Sequence, residues 1–204
     1  MFESYETIVQ IAILAVCAGI ALYRAAVFRS RTWTLVFFYF GSIALGDLYW
    51  LVCLIFYGET PQIAVVSNLS WYACYTFLYL LINRKASPEE GNKRRFLPFL
   101  MPVFTAAMAV YYMQWGSILT NLIYAAMMGL LLFAAVQRLM DGQRYRKQRF
   151  LLVWVLVFCL LEYALWTSSC IWEYTVTSPY YWFDVLLTVI HPFLIPAVKK
   201  AVTT

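Results

Sequence analysis

Asp47, Glu162 and Asp184 each stand inside a long apolar stretch of the chain. An ionisable group in such a stretch must be protonated, hydrogen-bonded to neighbouring side chains or met by a cation. No Lys or Arg sits deep enough in the same stretches to neutralise these three acids. Asp184, Thr188 and His191 follow i, i+4 and i+7 spacing, so on a helix they share one face. Asn68 and Asn121 add amides at a depth similar to that of Asp184. Tyr49, Trp50, Trp71, Tyr72, Tyr75, Tyr163 and Trp166 accompany Asp47, Asn68 and Glu162 in sequence, and aromatic faces bind cations and planar ligands. The combination predicts an acidic, aromatic pocket for a small ligand, cations included. Its expected ligand-binding residues are Asp47, Tyr49, Trp50, Asn68, Trp71, Tyr75, Asn121, Glu162, Asp184, Thr188 and His191. The plainer alternative for these residues is structural, as interhelical hydrogen bonds worth about 0.6 kcal/mol each and as aromatic packing.

Other chemistries lack their residues. All five cysteines, Cys17, Cys53, Cys74, Cys159 and Cys170, fall within or near apolar stretches without a CxxC pair, and His191 is the one histidine. Neither a metal site nor a haem site is therefore expected, and the cysteines read as packing residues rather than a disulfide framework. A bridge between Cys53 and Cys170 is conceivable from their outer positions, but sequence spacing does not establish it. No GxSxG or HExxH pattern supplies a nucleophile or a zinc site. No catalytic residue and no cofactor is expected. A Schiff base to retinal requires a lysine, and none lies between Pro179 and Val198.

The elements that must position these groups follow from composition. Of 204 residues, 64% are apolar and 12% charged, and the mean hydropathy is +0.72, against about half apolar and a quarter charged in a soluble domain. At about 20 residues per membrane-crossing helix, the chain is expected to be all-α: a polytopic integral membrane protein with seven transmembrane helices. The apolar segments run over 6–28, 33–57, 62–83, 96–113, 115–138, 150–172 and 179–198. Little length remains for a soluble catalytic, nucleotide-handling or nucleic-acid-binding domain. Segment 1 lacks a basic region before its apolar run, so it reads as a retained helix rather than a cleaved signal. The basic residues cluster at alternate connections: Arg24, Arg29 and Arg31; Arg84, Lys85, Lys93, Arg94 and Arg95; Arg138, Arg144, Arg146, Lys147 and Arg149; Lys199 and Lys200. Glu3, Glu6, Glu59 and Glu173 fall on the other side. The positive-inside rule then gives an N-out, C-in orientation. Attraction to anionic membrane lipids accounts for the basic loops without nucleic acid. His191-Pro192 and Pro196 predict a kink in segment 7.

Segments 1–3 and 5–7 also show a similarity. Gly19 with Ala25, Ala26 and Val27 is echoed by Gly129 with Ala134, Ala135 and Val136. Asp47 and Asn68, 21 residues apart, match Glu162 and Asp184, 22 apart. This suggests repeats 6–83 and 115–198 linked by 96–113, a parallel 3+1+3 plan within a single domain, 1–204.

The run Gly46-Asp47-Leu48-Tyr49-Trp50, then Pro61, then Ser67-Asn68-Leu69-Ser70-Trp71-Tyr72-Ala73-Cys74-Tyr75 resembles the seven-helix membrane sensor module of some bacterial diguanylate cyclases. Asn68 stands where that pattern is acidic. The resemblance implies a bacterial inner-membrane bundle that senses a small ligand and, having no output domain in this chain, signals through a separate cytoplasmic protein. The 3+1+3 plan is instead similar to that of SWEET-type sugar transporters and related vitamin carriers, which implies solute transport; Pro61-Gln62 lies at the start of segment 3. A third expectation is an intramembrane lipid-modifying enzyme using Asp47, Glu162 and His191 for acid–base chemistry.

Overall fold

Charge clusters that bound the apolar stretches become helix ends in the computed structural model, which describes residues 2–58, 65–84, 96–141 and 144–202. The elements are α1 (Phe2–Phe28), α2 (Arg31–Tyr57), α3 (Val65–Asn83), α4 (Leu100–Tyr112), α5 (Ile118–Met140), α6 (Arg149–Ser169), α7 (Pro179–Ile190) and α8 (Leu194–Val202). Among the described residues there is no strand. Among the described residues six stretches are long and apolar enough to cross a membrane, the last being α7 and α8 taken together with the turn between them. Leu97–Tyr112, a 3₁₀ turn followed by α4, is a shorter apolar helix. At 1.5 Å per residue the 13 residues of α4 extend about 20 Å, less than a hydrocarbon core of about 30 Å.

Several boundaries differ from those expected. Helix α1 begins at Phe2 rather than at residue 6, so Glu3 and Glu6 belong to its first two turns. Helix α5 begins at Ile118 rather than 115, because Trp115 and Gly116 turn their amides back onto the Tyr112 carbonyl at 2.9 and 3.2 Å. Helix α6 ends at Ser169 rather than 172. Pro61, Gln62, Glu59, Lys85, Lys93, Arg94 and Arg95 lie outside the described residues.

The helix ends have local causes. At the end of α1, Arg29 adopts a left-handed conformation with φ 45°, and the Ser30 amide donates to the Ala25 carbonyl at 3.2 Å. This is the Schellman closure that usually employs glycine. Gly58 fills the equivalent role after α2 with φ 70°, its amide on the Leu54 carbonyl at 3.2 Å. Ser178 caps α7 by accepting from the Tyr181 amide at 3.4 Å, with Pro179 in the first helical turn where no amide is required. The expected kink is a 3₁₀ turn over His191–Phe193 between α7 and α8. There the Leu194 amide turns to the His191 and Pro192 carbonyls. The Ile190 carbonyl instead accepts the Trp154 indole N–H at 2.9 Å.

Helices α1, α2 and α3 pack in chain order, α3 packs on α5, α5 on α6, and α6 on both α7 and α8. A narrower contact between α7 and α1 closes the ring, while α4 lies against α5. Two glycines set close approaches. A Cβ on Gly46 would stand 2.9 Å from the Ser70 Cβ, so α2 and α3 nearly touch there; on Gly129 it would stand 2.7 Å from the Thr105 hydroxyl, which brings α4 against α5. Small residues at helix contacts are the usual route to tight packing in membranes. The centre is aromatic: Trp154 and Phe158 stack at 5.4 Å, and Tyr39 meets both edge-on at 6.1 Å. Outward-facing Ile8, Val16, Leu22, Leu45, Leu122 and Leu160 are exposed, as expected of a surface solvated by lipid.

The two ends of the ring differ in charge. At one, the Arg24 guanidinium lies over Trp33 at 4.7 Å, Arg84 donates to the Thr32 hydroxyl at 2.5 Å, Arg138 donates to the Asn83 side-chain oxygen and Lys200 lies over Phe150 at 5.8 Å. The other end gathers carboxylates.

Candidate ligand-binding site

Between the helices at the acidic end lies a cavity of about 470 Å³, within the size range of small-molecule sites. Its walls come from α1, α2, α3, α5, α6 and α7 and from the turns before α5 and α7. Five carboxylates line it, Glu3, Glu6, Asp47, Glu162 and Asp184, and the described lining includes no Lys, Arg or His. Asp184 lies within Coulombic range of Glu6, Asp47 and Glu162.

The deeper acids are Asp47 and Glu162. Asp47 is positioned where Gly46 lets α2 approach α3, which brings it beside the wall formed by Ser67 and Asn68. Its side chain is 9% exposed, and its Oδ2 has no hydrogen-bond partner. Glu162 on α6 is 1% exposed; its Oε2 accepts from the Tyr75 hydroxyl at 3.0 Å, while Oε1 has no partner. The Ser67 hydroxyl, also on the wall, is the third buried oxygen there without a partner. Leaving such groups unsatisfied is costly, and all three belong to residues that line the one cavity.

Acids nearer the rim are already engaged. The Trp50 indole N–H donates to Glu3 Oε1 at 3.0 Å. The Tyr174 hydroxyl faces Glu6 Oε2 at 3.1 Å and Asp184 Oδ2 at 3.4 Å, and the Thr188 hydroxyl faces Glu6 Oε1 at 3.4 Å. Tyr174 has one proton to offer two carboxyl groups. Burial, then the neighbouring Asp184 and Glu6, pushes its phenol well above the ordinary value, so it remains a donor. These bonds carry much of the narrow junction between α1 and α7. Asn121 is held differently, its amide donating to the Tyr112 carbonyl at 3.0 Å.

Seven of the expected site residues, Asp47, Trp50, Asn68, Trp71, Asn121, Glu162 and Asp184, line this single cavity. Four do not. Tyr75 lies behind the wall, as the hydrogen-bond donor to Glu162. Thr188 lies below the rim, directed at Glu6. His191 is 1% exposed and bonds to the Tyr39 hydroxyl at 3.1 Å, packed against Phe158 at 5.9 Å. It shares the face of Asp184 but is seven residues further along, about 10 Å deeper at a helical rise of 1.5 Å. Tyr49 is not among the lining residues: two residues beyond Asp47 is about 200° around a helix, whereas Trp50, three beyond, returns toward the cavity.

Trp166, expected among the accompanying aromatics, also lines the cavity, whereas sequence spacing had left out Glu3, Glu6, Thr7 and Gln10 on α1, together with Ser67, Thr120, Ser169, Tyr174 and Tyr180. The four on α1 were legible in principle. Positions 3, 6, 7 and 10 trace one helical face, a polar stripe on an otherwise apolar helix. Starting the first segment at residue 6 concealed it. The five cysteines are all free thiols, so Cys53 and Cys170 are not bridged. No protein-family model, curated protein or solved structure matches the chain. The reading of the site rests on its own chemistry.

Proposed function

We propose that this protein is a small-ligand sensor of the cell membrane, a receptor-like bundle in a bacterial inner membrane that binds a small cationic ligand in its acidic cavity and acts through a separate cytoplasmic protein. The observation that carries this reading is the cavity lined by five carboxylates and by no basic side chain among the described residues, with Asp47 Oδ2 and Glu162 Oε1 unpartnered. Aromatic walls at Trp50, Trp71 and Trp166 suit a cation as well. In this reading Leu97–Tyr112 is a seventh, short span. The described basic residues at one end of the ring support an N-out, C-in orientation, which opens the cavity to the outside. Occupancy would reach the inner loops through α7, whose 3₁₀ turn at His191 lies below the cavity.

The test is thermal stabilisation of the purified protein by amines, sugars, nucleosides, vitamins and lysolipids, beside Asp47→Asn and Asp184→Asn. Ligands that bind the native state raise its melting temperature by mass action. Stabilisation confined to the amines and lost in both variants is the expected result. Equal stability of all three proteins across the whole panel would remove the acidic-pocket reading.

Solute transport is the second reading, favoured by the order of helices around the ring. Helices α1–α3 and α5–α7 follow one another, joined by the α3–α5 and α7–α1 contacts, and the paired positions Asp47/Glu162 and Asn68/Asp184 all line one cavity. That is the arrangement two parallel repeats would give. Movement of a bound amine across sealed proteoliposomes supports transport; binding without flux supports sensing.

A further inference from the structure

The Tyr174 hydroxyl stands between two acids, 3.1 Å from Glu6 Oε2 on α1 and 3.4 Å from Asp184 Oδ2 on α7. A phenol has one proton to give, so it satisfies one of them. Were both acids ionised, the other carboxylate would face the phenol oxygen with no proton between the two oxygens. That contact becomes a hydrogen bond when the second acid is itself protonated and donates to the phenol oxygen, which keeps its capacity to accept. Glu6 has a further donor in the Thr188 hydroxyl, 3.4 Å from its Oε1. Among the described residues Tyr174 is the one hydrogen-bond partner of the Asp184 side chain. Glu6, with two donors turned toward it, is therefore the acceptor of the pair, and Asp184 the acid that donates.

The groups that face this trio add negative charge and no positive charge. Glu6 faces Glu3 on its own helix; Asp184 lies within Coulombic range of Asp47 on α2 and Glu162 on α6 as well as of Glu6; Tyr180 on α7 lies within range of Asp184, Glu3 and Glu6. The described lining of the cavity has no Lys, Arg or His. Acids gathered in this way are neutralised by protons or by a cation. We infer that Glu6, Tyr174 and Asp184 share one carboxyl proton, carried by Asp184, and that a cation entering the cavity displaces it, so that the site exchanges a proton for its cation. This rests on the reading of the cavity as a cation site and adds how that site is regulated. The exchange balances in charge: the Asp184 carboxyl O–H bond breaks, the proton passes to water, and the cation takes over the positive charge. The same O–H ties α7 to Tyr174, while Tyr174 and Thr188 hold Glu6 on α1. Loss of the proton therefore removes one bond from the junction of α1 and α7, where occupancy of the cavity is felt.

Two measurements on the full chain in an ester-free detergent test this. The first needs no ligand. Infrared spectra at neutral pH are expected to contain the carbonyl stretch of a protonated carboxyl that diminishes in Asp184→Asn and moves to higher frequency in Tyr174→Phe, where the acid loses the oxygen to which it donates. A stretch unaltered in Asp184→Asn would overturn the shared proton. Should that variant fail to fold, as judged by circular dichroism and gel filtration, the Tyr174→Phe spectrum decides, and an unmoved stretch there overturns it. The second measurement is isothermal titration of the wild type with methylamine and n-butylamine between about pH 5 and pH 7, where a primary amine stays charged. Displacement of one proton is expected to raise the affinity about tenfold per pH unit, with a heat that varies with the ionisation enthalpy of the buffer. Amine binding that is independent of pH and of buffer would overturn the exchange while leaving the cation site standing. Absence of amine binding at every pH would overturn the exchange and the cation reading together.

Discussion

The two ends of the bundle carry opposite charges and deal with them differently. At the basic end, Arg24 lies over Trp33, Arg84 bonds Thr32 and Lys200 lies over Phe150, while Arg138 is buried, bonds Asn83, lies over Tyr145 and leaves Nε and Nη1 without a partner. Long stems let the heads of Arg24, Arg84 and Lys200 reach water or lipid phosphates without a cavity; the buried Arg138 is the exception. At the acidic end the side chains are short, the carboxylates share one cavity, and no described basic side chain lines it. Asp47 and Glu162 leave an oxygen each without a partner. Charge in a membrane protein marks orientation where it can reach the interface and marks a site where it cannot.

The largest effect on this contrast should come from Gly46→Leu. The new side chain begins 2.9 Å from the Ser70 Cβ, so α2 and α3 must separate and Asp47 must leave the wall. A loss of about 3 kcal/mol, at the upper end for overpacking, is expected as a fall in melting temperature, together with loss of amine binding. An unchanged melting temperature would show that the two helices do not meet there. Tyr75→Phe ranks next. It strips Glu162 Oε2 of its donor at 3.0 Å inside the bundle, at a cost of about 1–3 kcal/mol. Amine binding is expected to change along with stability, since Glu162 also faces the cavity; denaturation midpoints and titration measured on one preparation separate the two.

Tyr174→Phe acts at the rim and should cost about 1 kcal/mol, loosening the junction of α1 and α7. Its pH dependence has a definite sign. The folded phenol is pushed well above its ordinary value by burial and by Asp184 and Glu6. Its contribution is therefore complete below about pH 10, the unfolded value, and declines above it as the unfolded state ionises. Melting curves between neutral pH and pH 11 are expected to fall less steeply for Tyr174→Phe than for the wild type; parallel curves would contradict the buried phenol. The smallest effect belongs to the basic end. Arg29→Gly removes a left-handed non-glycine residue and should stabilise by about 1 kcal/mol, with no change in amine binding. A change in binding there would mean that the two ends are coupled.

Most of the helical architecture was legible because its signals are local. Apolar runs, the charges that bound them, Pro192 and the Ser178-Pro179 start of α7 all act within a few residues. The site was legible in part. Buried acids announce themselves against an apolar background, and Asp47, Glu162 and Asp184 all line one cavity. His191 and Tyr49 show where such reasoning stops. Spacing assigns a face relative to a neighbour on the same helix, but it gives neither the depth at which a cavity ends nor the rotation of each helix against the others. Those quantities depend on contacts such as Gly46 against Ser70 and Trp154 with the Ile190 carbonyl, which join residues far apart in the chain.

Sequence alone therefore specifies an all-helical, membrane-compatible chain with its basic residues clustered at alternate connections, because hydropathy and charge are properties of consecutive residues. Tertiary packing adds Glu3, Glu6 and Tyr174 to the acidic wall, sets Tyr75 behind it and draws His191 into the aromatic centre. The physical reason is that a cavity is the space several helices fail to fill, and its shape is fixed by how closely each pair can approach.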